Sequence, residues 1–198
     1  MTFEEFLDWV PLNPGSWEFH AGEIVAMAGG GGTTRNHDDL VVRLTVALGN
    51  HLGRGAPCRV QSGGLAVRVE ANDCVHFPDL HVTCDPVDHA DDRTTRSPSL
   101  IIEVLSESTR DYDQGDKFAS YKCLDSLREY LLVDASAQSV TLHRRVGARR
   151  WQSDEFGPED SFTLETIALT IDVSDLYAHT DVPLPRPRPR LVASDTRG

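Results

Sequence analysis

The chain has 198 residues, a formal net charge of −12, and is 39% apolar and 25% charged. That length suits one domain with a real core, and the composition lies near the roughly 45–50% apolar and about 25% charged of ordinary globular proteins. The acid excess excludes a protein that coats DNA passively through a basic face. No apolar run approaches the ~20 residues of a membrane helix, so no membrane partner is expected.

The N-terminus, Met1-Thr-Phe-Glu-Glu-Phe-Leu, carries no basic region and no signal-peptide core, which points to a cytoplasmic protein. The four cysteines, Cys58, Cys74, Cys84 and Cys123, lack framework spacing and are expected as free thiols in that compartment. Charge is uneven. Residues 184–198 hold four Arg and one Asp, a net +3, so residues 1–183 carry −15. A domain over residues 1–180 and a flexible Pro/Arg-rich tail over 181–198 are expected.

In chain order, Thr2 to Trp9 reads as a short helix, with Thr2 as N-cap and acids in the first turn. Trp17 to His20 and Glu23 to Ala28 read as strands of a hairpin around Ala21-Gly22. Gly29 to Gly32 reads as a flexible loop. Apolar residues at Leu40, Val41, Leu44, Leu48 and Leu52 predict an amphipathic helix from Asn36, its expected N-cap, to a stop at Gly53.

Cys58 to Gln61, Leu65 to Val69 and Val75 to Thr83 read as strands, and Asp85 to Ser97 as a surface loop. Leu100 to Leu105 is nearly all apolar, as in a strand buried on both faces. One helix is predicted over Tyr112 to Leu124 despite Gly115, and Arg128 to Asp134 reads as a strand. That strand-helix-strand passage favours a parallel pair with a right-handed crossover. A hairpin around Gly147, a strand within Leu164 to Ile171 and a short helix over Val173 to Tyr177 follow. Pro183 to Arg190 should be polyproline-like or disordered. The fold class is α/β: a mixed sheet flanked by helices.

Candidate chemistry falls on three consecutive elements. Glu103 interrupts an apolar strand, where a charge is costly to bury unless it is paired or holds a metal. Strict alternation would put Phe77, Asp79 and His81 on one face, and Ile101, Glu103 and Leu105 on another. If the two strands are neighbours, Asp79 and Glu103 can converge on one cation such as Mg²⁺. Otherwise Asp79 ends a strand and Glu103 pairs with an arginine.

Asp113, Lys117 and Tyr121 lie at i, i+4 and i+8 and share a helix face. Lys117 is either an exposed partner of Asp113 or an ammonium reaching the metal site. His37 opens the long helix and could meet phosphate there, or be a surface histidine. Glu18 and Glu23 flank the first hairpin and are weaker ligand candidates. Cys74, His76, His81 and Cys84 cluster in sequence, but an extended chain would hold its ends roughly 30 Å apart at ~3.3 Å per residue, which argues against zinc. There is no Gly-Lys-Ser/Thr phosphate loop and no Gly-x-Ser-x-Gly element.

The order of motifs resembles the Uma-two family of restriction endonucleases. Trp17-Glu18-Phe-His-Ala-Gly22-Glu23-Ile-Val is similar to its Tyr-Glu-Leu-x-x-Gly-Glu-Leu opening. His37, Pro78-Asp79, Glu103 to Thr109, Asp113/Lys117/Tyr121 and Glu129 to Asp134 follow in the family's order, across residues 2 to 178. The resemblance implies a PD-(D/E)XK nuclease fold, restriction-endonuclease-like, and Mg²⁺-dependent (or Mn²⁺-dependent) hydrolysis of DNA.

It makes Asp79 and Glu103 the metal carboxylates, and the Val104 carbonyl beside them is a candidate third ligand. The superfamily's lysine normally sits two residues after the glutamate, where this chain has Leu105, so Lys117 would replace it from the helix. Glu18, Glu23 or His37 would assist. A homodimer would suit the cutting of two strands, although no feature of the sequence shows one. The competing expectation, motivated by the −15 core, is a non-catalytic regulatory or interaction protein on a nuclease-like fold.

Overall fold

The structure is a computed structural model and describes residues 1–27 and 33–186. The glycine loop and most of the Pro/Arg tail lie outside the described residues. In chain order the elements are α1 (Phe3–Trp9), β1 (Trp17–His20), β2 (Glu23–Ala26), α2 (Arg35–Leu52), β3 (Arg59–Ser62), β4 (Ala66–Val69), β5 (Cys74–His76), β6 (Leu80–Thr83), α3 (Pro86–Ala90), β7 (Thr94–Thr95), β8 (Pro98–Leu105), α4 (Arg110–Gln114), α5 (Asp116–Tyr121), β9 (Glu129–Asp134), β10 (Val140–Arg145), β11 (Trp151–Phe156), β12 (Ser161–Leu164), β13 (Leu169–Asp172) and α6 (Val173–Tyr177).

Two sheets carry the fold, one in the order β2-β1-β5-β4-β7 and one in the order β11-β10-β9-β8-β6-β3, with a separate β12-β13 ribbon. Strands β8 and β9 pair in parallel, joined by the α4–α5 crossover, and β6 pairs antiparallel to β8. The expected mixed α/β arrangement is therefore present. Apolar spacing decides the packing. Leu40, Leu44 and Leu48 of α2 are fully buried against Leu100, Ile102 and Val104 of β8 and their neighbours. Burial of each such side chain contributes roughly 1.5–3 kcal/mol.

The other face of β8 presents Ile101 and Leu105 to Phe118 and Tyr121 of α5. Helix α5 sits where the two sheets meet: the Tyr121 ring lies 5.0 Å from His76 on one sheet and 5.7 Å from Tyr130 on the other. Both faces of β8 are thus covered, as its continuous apolar run requires.

Local chemistry explains most termini, and the structure departs from the sequence reading at five places. Thr2 forms the expected cap of α1, as a full capping box with Glu5. Helix α2 starts two residues earlier than expected, because Thr34 rather than Asn36 is the N-cap and its hydroxyl accepts from the His37 amide. The run from Val75 to Thr83 is two strands on different sheets: Pro78 has no N–H to give a ladder, and the chain crosses between sheets at Phe77–Asp79. The loop over residues 85–97 contains α3 and the short β7.

The helix expected over Tyr112–Leu124 breaks into α4 and α5 at Gly115, whose φ of −105° and ψ of −99° are not helical. A Cβ there would lie 2.8 Å from the Asp111 carbonyl. The cysteines also differ from expectation: Cys58 and Cys84 form a disulfide, while Cys74 and Cys123 are free. The β3–β6 register pairs Arg59 with Thr83, so the next step outward sets the two cysteines opposite each other.

Candidate active site

Strand β8 is longer than β6 at one end. The ladder between them runs to Leu80 opposite Ile102, and one further step in that register places Asp79 opposite Glu103. Beyond Leu80 the chain has left the strand, so the Val104 N–H has no ladder partner on that side. Asp79 takes the vacant place: its Oδ2 accepts from the Val104 amide at 2.7 Å. The N–H and C=O of one strand residue point to the same side, so the Val104 carbonyl faces the side where Asp79 lies.

His37, in the first turn of α2, brings Nε2 to 3.4 Å from the same Asp79 oxygen. Burial lowers the proton affinity of His37, but Asp79 and Asp38 outweigh it and raise the imidazole above its ordinary pKa.

Glu103 is 3% exposed, with its Oε1 2.9 Å from Lys117 Nζ and 3.3 Å from the Tyr121 hydroxyl, which donates to it. Lys117 is equally buried. Its ammonium also lies 3.4 Å from Asp113 Oδ1 and 3.6 Å from Glu18 Oε1. One ammonium therefore faces three carboxylates. Burial alone would discharge Lys117, but Glu103, Glu18 and Asp113 more than offset it and hold the lysine protonated, above its ordinary pKa. Burial drives Glu103 well above the usual carboxylate range, against the pull of Lys117, and raises Asp113 in the same way.

Asp79, Glu103, Val104, Asp113, Lys117 and His37 line one cavity of ≈ 570 Å³. Its rim adds the hydroxyl residues Ser16, Thr33, Thr34, Ser106, Ser108 and Thr109. The donor set fits a hard divalent cation. The contacts above use Asp79 Oδ2 and Glu103 Oε1, and both residues line the cavity. Carboxylate and carbonyl oxygens are the ligands Mg²⁺ and Mn²⁺ prefer.

The other expected residues fall elsewhere. Glu18 does not line the cavity. It sits behind Lys117, its Oε2 bonded to Tyr112, to His20 Nε2 at 3.2 Å and to His76 Nδ1 at 3.1 Å. Glu23 is exposed at the start of β2. His81 does not line the cavity. It is buried, with Nε2 2.8 Å from Thr95 Oγ1 on the other sheet. The sequence cluster considered for zinc is dispersed, since Cys84 is in the disulfide.

Glu129 and Asp134, the ends of one family motif, are architectural. Buried Glu129 accepts from the Glu165 and Thr166 amides. Asp134 binds Arg110 at 2.6 Å at the start of α4. Sequence reasoning missed Tyr112, His20 and His76 around Glu18. The alternation of Glu18 and His20 on one strand face was the available signal; the cross-strand approach of His76 was not readable.

With this geometry the molecule falls in the class of nuclease-like α/β proteins. It shares its fold with the crystal structure of a "putative nuclease belonging to DUF820" from Anabaena variabilis, at a TM-score of 0.66 and 17% identity, over 86% of this chain and 96% of that one. Residues 3–174 match the family model Uma2, described as "Putative restriction endonuclease", and the chain belongs to that family. It is similar to two uncharacterized proteins of Synechocystis sp.: slr1290, 33% identical over 88% of this chain and 90% of that protein, and sll1609, 30% identical over 81% and 90%. Among the described residues no helix is long and apolar enough to cross a membrane.

Proposed function

We propose that the protein is a metal-dependent DNA endonuclease whose centre is formed by Asp79, Glu103 and Lys117. The observation that carries this reading is a lysine, buried on a helix, bonded to a glutamate on the central strand across from Asp79, all lining one cavity. Asp79, Glu103 and the Val104 carbonyl would hold a Mg²⁺-class cation. When bound, it would supply Lewis-acid polarisation of the scissile phosphate and lower the pKa of a water molecule.

The chain's own groups have separable tasks. Asp79 is fixed by the Val104 amide, so its free oxygen points without a search among rotamers. Lys117 is held protonated and therefore acts as a donor, not a base. It orients Glu103 and, at the cavity wall, stabilises negative charge that develops on the phosphate. His37 has a raised proton affinity and lies at the N-terminus of an 18-residue helix capped by Thr34. That position favours a phosphate group, and the surrounding hydroxyls supply further donors. Glu18 acts through Lys117 as a positioning residue. Cleavage of both strands would call for two such sites, which a homodimer would supply.

The test is nicking of supercoiled plasmid DNA by the purified chain. Cleavage is expected with Mg²⁺ or Mn²⁺ and none with EDTA. Cleavage that persists in EDTA would contradict the reading. No cleavage together with no Mg²⁺ or Mn²⁺ binding at millimolar metal would favour the non-catalytic alternative, which the −15 core motivates.

A further inference from the structure

Behind Lys117 lies a second group of donors, of which the proposed cleavage uses only Glu18, to position Lys117. One ligand atom each of Glu18, His20 and His76 lies within 4.8 Å of the other two, and Glu18 Oε2 lies 3.2 Å from His20 Nε2 and 3.1 Å from His76 Nδ1. Glu18 and His20 share a face of β1, and the β1–β5 register sets Glu18 opposite His76. The Tyr112 hydroxyl closes a further side, 3.1 Å from His20 Nε2.

Three features suit this group to a small ion as well as to a hydrogen-bond network. First, its donors crowd one atom. Two imidazole nitrogens and a phenol converge on Glu18 Oε2, while Glu18 Oε1, buried with it, accepts no hydrogen bond and has only the Lys117 ammonium beside it at 3.6 Å. A carboxylate has about four acceptor sites spread over two oxygens, so a purely hydrogen-bonded glutamate would share its donors. Second, the spacing suits a small ion. Ligands roughly 2.0–2.1 Å from a tetrahedral centre lie about 3.3 Å apart, and the observed separations from Glu18 Oε2 are 3.1 and 3.2 Å. Third, an outer partner is in place. His76 Nε2 lies 2.8 Å from Ser120 Oγ, itself bonded by Asn72 Nδ2 at 2.9 Å. Ligating histidines characteristically use their other ring nitrogen in this way. His20 is partly exposed and gives an entry path.

We propose that Glu18, His20 and His76 form a second metal site, distinct from the Asp79–Glu103 cavity, for a Zn²⁺-class transition-metal dication. Two imidazoles and one carboxylate select such an ion over Mg²⁺, which prefers oxygen ligands. An ion here ties β1 to β5 beneath Tyr112 of α4, and so braces the helix that carries Asp113 beside Lys117.

The test uses the full-length chain in a Cys123→Ser background, which removes the exposed free thiol. Co²⁺ is added to metal-stripped protein and followed by visible absorption, with Zn²⁺ as competitor. One equivalent of Co²⁺ should bind with an imidazole-type ligand-field band and be displaced by Zn²⁺. His20→Ala and His76→Gln should each weaken binding by roughly 100-fold or more, and Asp79→Asn should leave it intact. His20 is partly exposed, so His20→Ala decides the matter if His76→Gln fails to fold. No band, or binding that survives His20→Ala and is lost in Asp79→Asn, would overturn the site.

Discussion

Lys117 is the residue on which the candidate centre turns. A buried ammonium among three carboxylates is stable only while all partners remain. Lys117→Met should therefore cost on the order of 3–5 kcal/mol of folding stability, and Glu103→Gln in the same chain should restore part of it, a coupling that a double-mutant cycle by urea unfolding would measure. Additive losses would mean that the 2.9 Å contact carries no interaction energy. His81 gives a prediction of the opposite electrostatic kind. Burial pushes its pKa down to about 4 from 6.5. The unfolded chain therefore binds a proton that the folded chain refuses, and stability should fall as pH drops from about 6.5 to about 4. The full loss is on the order of 3 kcal/mol. His81→Gln should flatten this part of the profile relative to wild type, and identical slopes between pH 7 and 4 would contradict the assignment.

Within elements, the α4–α5 junction sets where Lys117 points. Helix propensity alone favours alanine over glycine by about 1 kcal/mol, so Gly115→Ala would stabilise an unbroken helix. Here the added Cβ meets a backbone carbonyl at 2.8 Å, and the variant should instead lose roughly 1–3 kcal/mol. A raised urea midpoint would show that the break is not required. The end of α5 is held as firmly. Arg145 donates to the carbonyls of Lys122, Leu124, Leu127 and Ala148, which joins the crossover to the β10 strand.

These junctions are also where the sequence was least legible. The alternation of Ile101, Glu103 and Leu105 and the 3.6-residue spacing of Leu40, Leu44 and Leu48 are local, and both were readable. So was the Asp113–Lys117–Tyr121 face, which survives the break because the i, i+4 contact spans it at 3.4 Å. The strand run through Pro78 misled, because alternation assumes one sheet and cannot see a crossing between two. The Cys58–Cys84 pairing depends on the register of β3 against β6, which local patterns do not encode. The His76 approach to Glu18 is hidden for the same reason.

For the whole molecule, three of the acids behind the −15 of residues 1–183, Asp79, Glu103 and Asp113, line the cavity together with Lys117. Such a site would attract a cation first and phosphate only through it, which would reconcile an acidic chain with the proposed nucleic-acid substrate. The central claim is that Glu103 belongs to that cation site, and the most direct measurement is the Mn²⁺-dependent rate of plasmid nicking by wild type and Glu103→Gln at matched folded protein. The variant keeps the shape of the side chain but removes its charge, and its rate should fall by at least about 100-fold. A Glu103→Gln protein that nicks plasmid at the wild-type rate would contradict the account.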